Sequence, residues 1–452
     1  MTAKTINISS PHSKDSQPGG MREGRIENDF LWSLLGCLGP ADVGVLKVCA
    51  KQIDWAHLFA ITPPDLYGYL GQKLSALGLD SLCPIELLTQ TVNFHRVTTA
   101  QWLRFSLEIR QLAHSFNQHD VDFMLVKGAV LAFNAYSDHT LRPMSDIDFF
   151  VRPECLERAL DVVYAAGYTC PDRHSYRPPQ CLALESFPNR IEVSVPLQKP
   201  GTRSLIEVHT QLAATEPWFR VNPELMWANC EETFVAGIRV KTLEKHDFLF
   251  QLVLHLSRVH LFDFSLRALL DIHLWVELHK DRLDWEWLAS EAIRRGYADW
   301  LHLTLRVASD LLRTSIPPRF FVSMPRPPQF ERLQQLACEL MEADRKLDHR
   351  VGSLASILGQ ASARKAIARF SRRFLSYGRR SDVVTVPEIH PLRSAGVRIA
   401  LRRATAEMRI KLPKYVRAWR NGTLRWSSLK QAARLIRDRA ELQDILATRM
   451  PL

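Results

Sequence analysis

Two aspartates two positions apart, Asp146 and Asp148, begin an apolar run of Ile147, Phe149, Phe150 and Val151. In a strand, residues i and i+2 point to the same face, so this spacing sets two carboxylates side by side at one end of a sheet. Such like charges repel unless a cation lies between them. Hard oxygen donors suit Mg²⁺, which takes one or two carboxylates together with phosphate oxygens. Two ions held in this way clamp both the attacking and the leaving oxygen of a phosphoryl displacement. The bare pair says little, however. Acids are 48 of the 452 residues, so about five acid-x-acid pairs arise by chance, and five occur: Glu27/Asp29, Asp120/Asp122, Asp146/Asp148, Asp284/Glu286 and Glu342/Asp344. Context must separate signal from background.

A third carboxylate is expected on a neighbouring strand. Glu207 in Ile206-Glu207-Val208-His209 fits, and His209, at i+2, shares its face. Glu192 in Ile191-Glu192-Val193 is the competing candidate. Upstream, Val126-Lys127-Gly128 ends a strand and opens a helix, where a glycine lets a phosphate approach backbone N–H groups. Lys127 adds positive charge there, and Arg142 offers a fork to phosphate. The plainer alternatives are a Lys-Gly turn that caps the strand and a surface arginine.

The elements that must position these groups follow from periodicity and breakers. Residues 28–70 read as short helices interrupted at Gly39-Pro40 and Pro63-Pro64. A long helix follows Pro84, with Phe94, Val97, Trp102, Leu103 and Phe105 at helical spacing, and ends near His119-Asp120. Val121–Val126 reads as a strand, Ala129–Tyr136 as a helix, and Ile147–Val151 as a second strand. Pro153 opens a helix that runs to Ala166 and stops at Gly167. Arg190–Val195 and Ser204–Leu212 flank a Pro200-Gly201 turn and read as paired strands. This alternation describes a small α/β unit of about a hundred residues. After Pro217 the chain is expected to be helical again: Leu243–Leu256, Ser265–Leu278, Leu283–Arg295, Leu301–Leu312 and, beyond the Pro325–Pro328 break, Phe330–Asp344.

The residues then fall into a known pattern. Leu125-Val126-Lys127-Gly128-Ala129, Tyr136, and Leu141-Arg142-Pro143-Met144-Ser145-Asp146-Ile147-Asp148-Phe149-Phe150-Val151-Arg152-Pro153 resemble the uncharacterised nucleotidyltransferase family, a branch of the polymerase-beta-like nucleotidyltransferase superfamily. Glu207-Val208-His209 resembles its downstream acidic-x-His strand. Arg267 and Leu270-Asp271-Ile272 resemble its helical segment, after one or two histidines, here His255 and His260. The resemblance is specific over residues 121–152, weaker to 280 and negligible in the first hundred. It implies a mixed sheet; with the helical stretches read on either side, the fold expected is α+β, a small mixed-sheet nucleotidyltransferase core flanked by helical N-terminal and C-terminal regions. It also implies two or three metal-binding acids, Mg²⁺, and a nucleoside triphosphate as donor, with ATP the nucleotide expected. The usual Gly-Ser loop of the superfamily is replaced by Lys127-Gly128, and the spacing from loop to acids is long. Neither the residues nor the resemblance names an acceptor.

The domain organisation expected is a disordered tail over 1–27, a helical region over 28–119, the nucleotidyltransferase-like core over 120–215, a helical domain over 216–350 and a basic region over 351–452. Residues 361–452 carry 22 Lys and Arg against 6 Asp and Glu, a net +16, whereas the first 360 carry 37 against 42, a net −5. Within the basic region Val397, Leu401, Ala404, Met408 and Leu412 form an apolar stripe among arginines, with Trp419 and Trp426 beyond. RNA binding, a membrane or other acidic surface, and simple docking on the body all fit that pattern. His255 and His260, five apart rather than four, read as packing or hydrogen-bonding residues. Asp271 reads as a buried or capping acid paired with Arg267 at i+4.

The eight cysteines form no Cys-x-x-Cys pair, and the chain has no P-loop, dinucleotide glycine fingerprint or Gly-x-Ser-x-Gly elbow. No apolar run is long enough to span a bilayer, and the first residues lack the apolar centre of a secretion signal. A cytoplasmic location is expected. The expected function is Mg²⁺-dependent transfer of a nucleoside monophosphate to an acceptor that is a small molecule, peptide or RNA. Asp146, Asp148 and Glu207 would bind metal and act in catalysis, with Lys127, Gly128, Arg142 and His209 on the nucleotide. Phosphoryl transfer at the same metals, and a degenerate scaffold binding protein or RNA, are the rival readings.

Overall fold

The computed structural model describes residues 25–37, 43–169, 194–201, 204–210, 222–262, 266–341, 434, 437–442 and 445–446. Among the described residues five α-helices precede the sheet: α1 (Arg25–Leu35), α2 (Val43–Cys49), α3 (Trp55–Ile61), α4 (Tyr67–Ala76) and α5 (Ile85–Gln118). Helix α1 begins three residues inside the segment read as a tail. Asp54 starts α3 by accepting from the backbone N–H groups of Ala56 and His57, which satisfies donors that a helix end leaves open. The long helix after Pro84 is present, but its buried face differs from the expected one. Thr91, Thr98, Trp102, Phe105, Ile109, Leu112 and Phe116 pack inward, while Val97 and Leu103 are 66% and 68% exposed. The stripe read from the sequence had merged residues of two faces.

The central elements are β1 (Phe123–Val126), α6 (Gly128–Asn134), β2 (Asp146–Val151), α7 (Leu156–Ala165), β3 (Ser194–Gln198), β4 (Leu205–His209), α8 (Pro223–Ala228), β5 (Glu231–Val235) and β6 (Ile238–Thr242). They form one six-stranded mixed sheet in the order β3-β4-β2-β1-β6-β5. Strand β2 runs antiparallel to β1 and parallel to β4. Both faces of β1 and β2 are covered, hence the apolar runs FMLV and IDFFV without strict alternation. Gly167, at φ +87°, ends the helical stretch before β3 as expected.

The hairpin β5-β6 corrects the expectation that the chain after Pro217 is helical. It pairs through β6 onto β1 and so extends the sheet past residue 215. Its turn is Ala236-Gly237, both at positive φ (53° and 78°). That is the two-residue geometry that favours Asn-Gly or Asp-Gly, and alanine in the first place hides it from a sequence reading.

The remaining helices are α9 (Lys245–Leu254), α10 (Leu266–His279), α11 (Trp285–Arg295), α12 (Ala298–Leu312), α13 (Pro318–Ser323) and α14 (Phe330–Met341). The expected helix over Leu243–Leu256 ends at Leu254 and passes into a π-helical turn, His255–Val259. All the helices share one apolar core with the sheet. Leu442, Ile445 and Leu446, near the end of the chain, are buried in that same core. Arg332 of α14 holds Glu441 in a two-pronged pair at 2.8 and 2.7 Å. This stretch therefore docks on the body. The amphipathic stripe of residues 397–412, Trp419 and Trp426 lies outside the described residues. Among the described residues no helix is long and apolar enough to cross a membrane.

Candidate metal centre

Strand register creates the site. Val126 lies opposite Asp148 across β1 and β2, Asp148 lies beside Glu207 across β2 and β4, and Phe150 lies beside His209. Asp146, Asp148, Glu207 and His209 thus share one face of two neighbouring strands, β2 and β4, with Lys127 arriving from the end of β1. Ile147, Phe149, Ile206 and Val208, on the opposite face, are wholly buried and fix the register.

Asp148 is the pivot. Its Oδ1 accepts from Lys127 Nζ at 2.8 Å and from His209 Nε2 at 2.8 Å. Both bonds fall on one oxygen, and Oδ2 carries no hydrogen bond from the described residues. Burial pushes the Asp148 carboxyl up, but Lys127 and His209 outweigh burial and hold it well below the usual carboxylate range. Burial pushes the His209 imidazole down, and its bonds to Asp148 and Glu207 reverse that and leave it raised. Its Nε2 also lies 3.3 Å from Glu207 Oε2. Asp146 accepts instead from a neutral donor, Ser145 Oγ, at 3.2 Å. Burial, then Asp148, then Glu207 push its carboxyl up to about 6. Burial and the two neighbouring carboxylates both disfavour its charge, and a cation bound among them would relieve that.

Ligand atoms of Asp148, Glu207 and His209 all lie within 4.8 Å of one another. His209 Nε2 is nevertheless committed to the two carboxylates, and it is wholly buried. The chemistry fits a different division. The carboxylates Asp146, Asp148 and Glu207 could hold a hard divalent cation, with His209 placed to orient two of them.

Lys127 stands in an unusual backbone conformation, φ 51° and ψ −122°. That region is ordinary for glycine and costs another residue about 1–3 kcal/mol. The strain aims the lysine side chain from the end of β1 into the acidic cluster. The next residue, Gly128, is needed for a close approach: a Cβ there would meet Arg142 Nη1 at 2.6 Å and Met144 Sδ at 3.0 Å. The space that the sequence reading assigned to a phosphate at Gly128 is thus lined by Arg142.

Arg142 itself is buried, and its fork is engaged. Nε and Nη2 donate to Asp271 of α10 at 2.9 and 2.8 Å, and Tyr136 donates to the same Asp271 at 2.8 Å. The expectation that Arg142 offers its fork to phosphate is corrected, as is the pairing of Asp271 with Arg267. Arg267 reaches instead to Asp65, at 3.1 Å, and to the Pro143 carbonyl. Helical spacing placed Arg267 near Asp271, but the buried Arg142 guanidinium satisfies both carboxylate oxygens at once. The loop before β2 is further set by α5: Gln101 donates to the Met144 carbonyl at 2.7 Å, Trp102 to the Arg142 carbonyl at 2.9 Å, and His95 pairs with Thr140 at 2.6 Å.

His255 and His260 hydrogen-bond to each other through their Nε2 atoms at 3.0 Å. Burial, then Lys127, then His260 push the His255 imidazole well below its ordinary value, so it stands neutral beside the cluster. Glu192 lies outside the described residues.

A family model described as Uncharacterised nucleotidyltransferase matches residues 51–313, well over half of the chain. The chain belongs to this family. No curated protein and no solved structure matches it. The matched span runs from before α3 to the end of α12 and takes in every strand among the described residues. It therefore reaches into the first hundred residues, where the sequence pattern showed no resemblance. In this chain the bonds from α5 to the loop before Asp146 give that extension a physical reason, because they help to position the acidic strand β2. The family supports transfer of a nucleotidyl group as the general activity, and it names neither donor nor acceptor.

Proposed function

We propose that this chain is a Mg²⁺-dependent enzyme that transfers a nucleoside monophosphate from a nucleoside triphosphate, ATP, to a hydroxyl or phosphate acceptor. The observation that carries the reading is the meeting of Asp146, Asp148 and Glu207 on one sheet face, with Asp148 held ionised and Asp146 raised to about 6.

Asp146, Asp148 and Glu207 are the residues that hold metal. Bound there, a divalent ion neutralises charge on the transferring phosphate, a contribution of several kcal/mol. The chain's own groups do the rest. His209 keeps Asp148 and Glu207 oriented. Lys127 brings one positive charge to the edge of the cluster, where it also meets phosphate oxygens. Glu207, the more open of the two acids that His209 joins at 23% exposed, takes the proton of an acceptor hydroxyl at its carboxylate. The acceptor oxygen then bonds to the α phosphorus, the bond from that phosphorus to the bridging oxygen breaks, and pyrophosphate leaves with the electron pair. The acceptor is a small molecule, peptide or RNA, and the basic residues after 351 are the region to test for RNA.

Calorimetry with Mg²⁺ and a nucleoside triphosphate tests the reading against a scaffold without catalysis. Binding that needs Mg²⁺ and is lost in Asp148→Ala is expected. No Mg²⁺-dependent binding by the wild-type chain would remove the reading.

A further inference from the structure

Two divalent ions that clamp a phosphoryl displacement stand about 3.5–4 Å apart, so both must find oxygens within one small cluster of acids. The most buried acid of this cluster, Asp148, has one oxygen, Oδ1, already filled twice, by Lys127 Nζ and by His209 Nε2, each at 2.8 Å. Asp146 has its own Oδ1 met by Ser145 Oγ at 3.2 Å. The ammonium is not there by default. Lys127 sits at φ 51°, a conformation that glycine adopts freely and lysine does not, and its side chain is 12% exposed. The fold holds a lysine where the backbone favours glycine, and the position gains from it a charge fixed against Asp148. Asp146, Asp148 and Glu207 carry three negative charges when ionised, and the Lys127 ammonium offsets one of them at Asp148.

We infer that the Lys127 ammonium takes the place of one of the two divalent ions, so that the site binds a single divalent cation. Asp146, Asp148 and Glu207 would hold that cation. The inference rests on the reading of this cluster as a metal site.

Counting bound Mn²⁺ by electron paramagnetic resonance tests it without any turnover. The protein is titrated with Mn²⁺ alone and again with saturating α,β-methylene-ATP, a triphosphate that resists attack at the α phosphorus. The expected count is a single tightly bound Mn²⁺ per chain in both titrations. Lys127→Gly, which suits the backbone at this position, and Lys127→Met are expected to take up a second Mn²⁺, seen as a doubled count and a spin-coupled signal. Two bound ions in the wild-type chain would overturn the inference and leave the metal site standing. No bound ion in the wild-type chain would overturn both. The wild-type count decides between these results even where a variant fails to fold.

Discussion

Arg142 and Asp271 stand 129 positions apart and meet in a buried two-pronged ion pair, with Nε and Nη2 at 2.9 and 2.8 Å from the two carboxylate oxygens. Asp271 also takes the Tyr136 hydroxyl, and the Arg142 guanidinium lies against Gly128. One contact thus joins helix α10 to the turn that carries Lys127 and to the loop that leads into Asp146. Desolvation opposes the charge on Arg142, but Asp271 outweighs it and keeps the guanidinium firmly protonated.

Breaking such a pair leaves an uncompensated buried charge. Asp271→Ala is expected to lose about 3–5 kcal/mol of stability, read as a lower midpoint in urea unfolding. Replacing both partners by apolar residues, as in Arg142→Met with Asp271→Leu, is expected to recover most of that loss. Equal destabilisation in the double variant would show that the pair does more than satisfy its own charges.

Metal-free stability should carry the mark of Asp146. Its carboxyl is raised to about 6 from an ordinary 3.8, so the folded chain binds this proton more tightly than the unfolded chain. Stability then falls as pH rises between about 4 and 6, by at most ~3 kcal/mol before solvent screening, each unit being about 1.36 kcal/mol. Asp148 acts in the other direction and in a separate window. Its lowered value stabilises the fold above about pH 4, and that stability is lost as pH falls further. In EDTA at pH 7, Asp146→Asn is expected to melt higher than wild type and to lose the further rise that Mg²⁺ gives the wild-type chain. A variant that melts at the wild-type temperature in EDTA would contradict the repulsion described for these acids.

His209 should matter through its neighbours. His209→Gln is expected to weaken Mn²⁺ binding about 10–100-fold, the usual cost of removing a group that orients metal ligands. Titration of free Mn²⁺ measures this, and unchanged affinity would deny His209 that role.

The C-terminal stretch makes a test of a different kind. Leu442 is wholly buried, and Leu442→Ala is expected to cost about 2–5 kcal/mol. Arg332→Ala, which removes a pair whose partners are about one-third and two-fifths exposed, should cost under ~1 kcal/mol. Thermal unfolding of both variants compares packing with charge at this docking surface. A larger loss from Arg332→Ala than from Leu442→Ala would reverse the assignment.

The acidic cluster was legible because strand periodicity alone puts Asp146 with Asp148 and Glu207 with His209. Register, which joins the two pairs, depends on the sheet and cannot be counted along the chain. The β5-β6 hairpin escaped because Ala236 stands where Asn or Asp would announce the turn. Arg142 escaped for another reason. An arginine before an acidic strand looks like a ligand for phosphate until a carboxylate 129 positions away occupies both prongs. The strained backbone of Lys127 has no sequence signal at all, since lysine is a residue that periodicity places on any surface. For α5, the inward threonines at 91 and 98 broke the apolar rule, and Val97 and Leu103 stood out in their place.

The central claim is that the acids at Asp146, Asp148 and Glu207 direct attack at the α phosphorus. Incubating the chain with Mg²⁺, a cell extract as acceptor source, and ATP labelled at either the α or the γ phosphate tests it most directly. Label from the α position should move to an acceptor with release of pyrophosphate, and turnover should fall by about a hundredfold or more in Asp148→Ala, since several kcal/mol are lost at ~1.36 per tenfold. Transfer of the γ label instead, or α transfer undiminished in Asp148→Ala, would contradict the account.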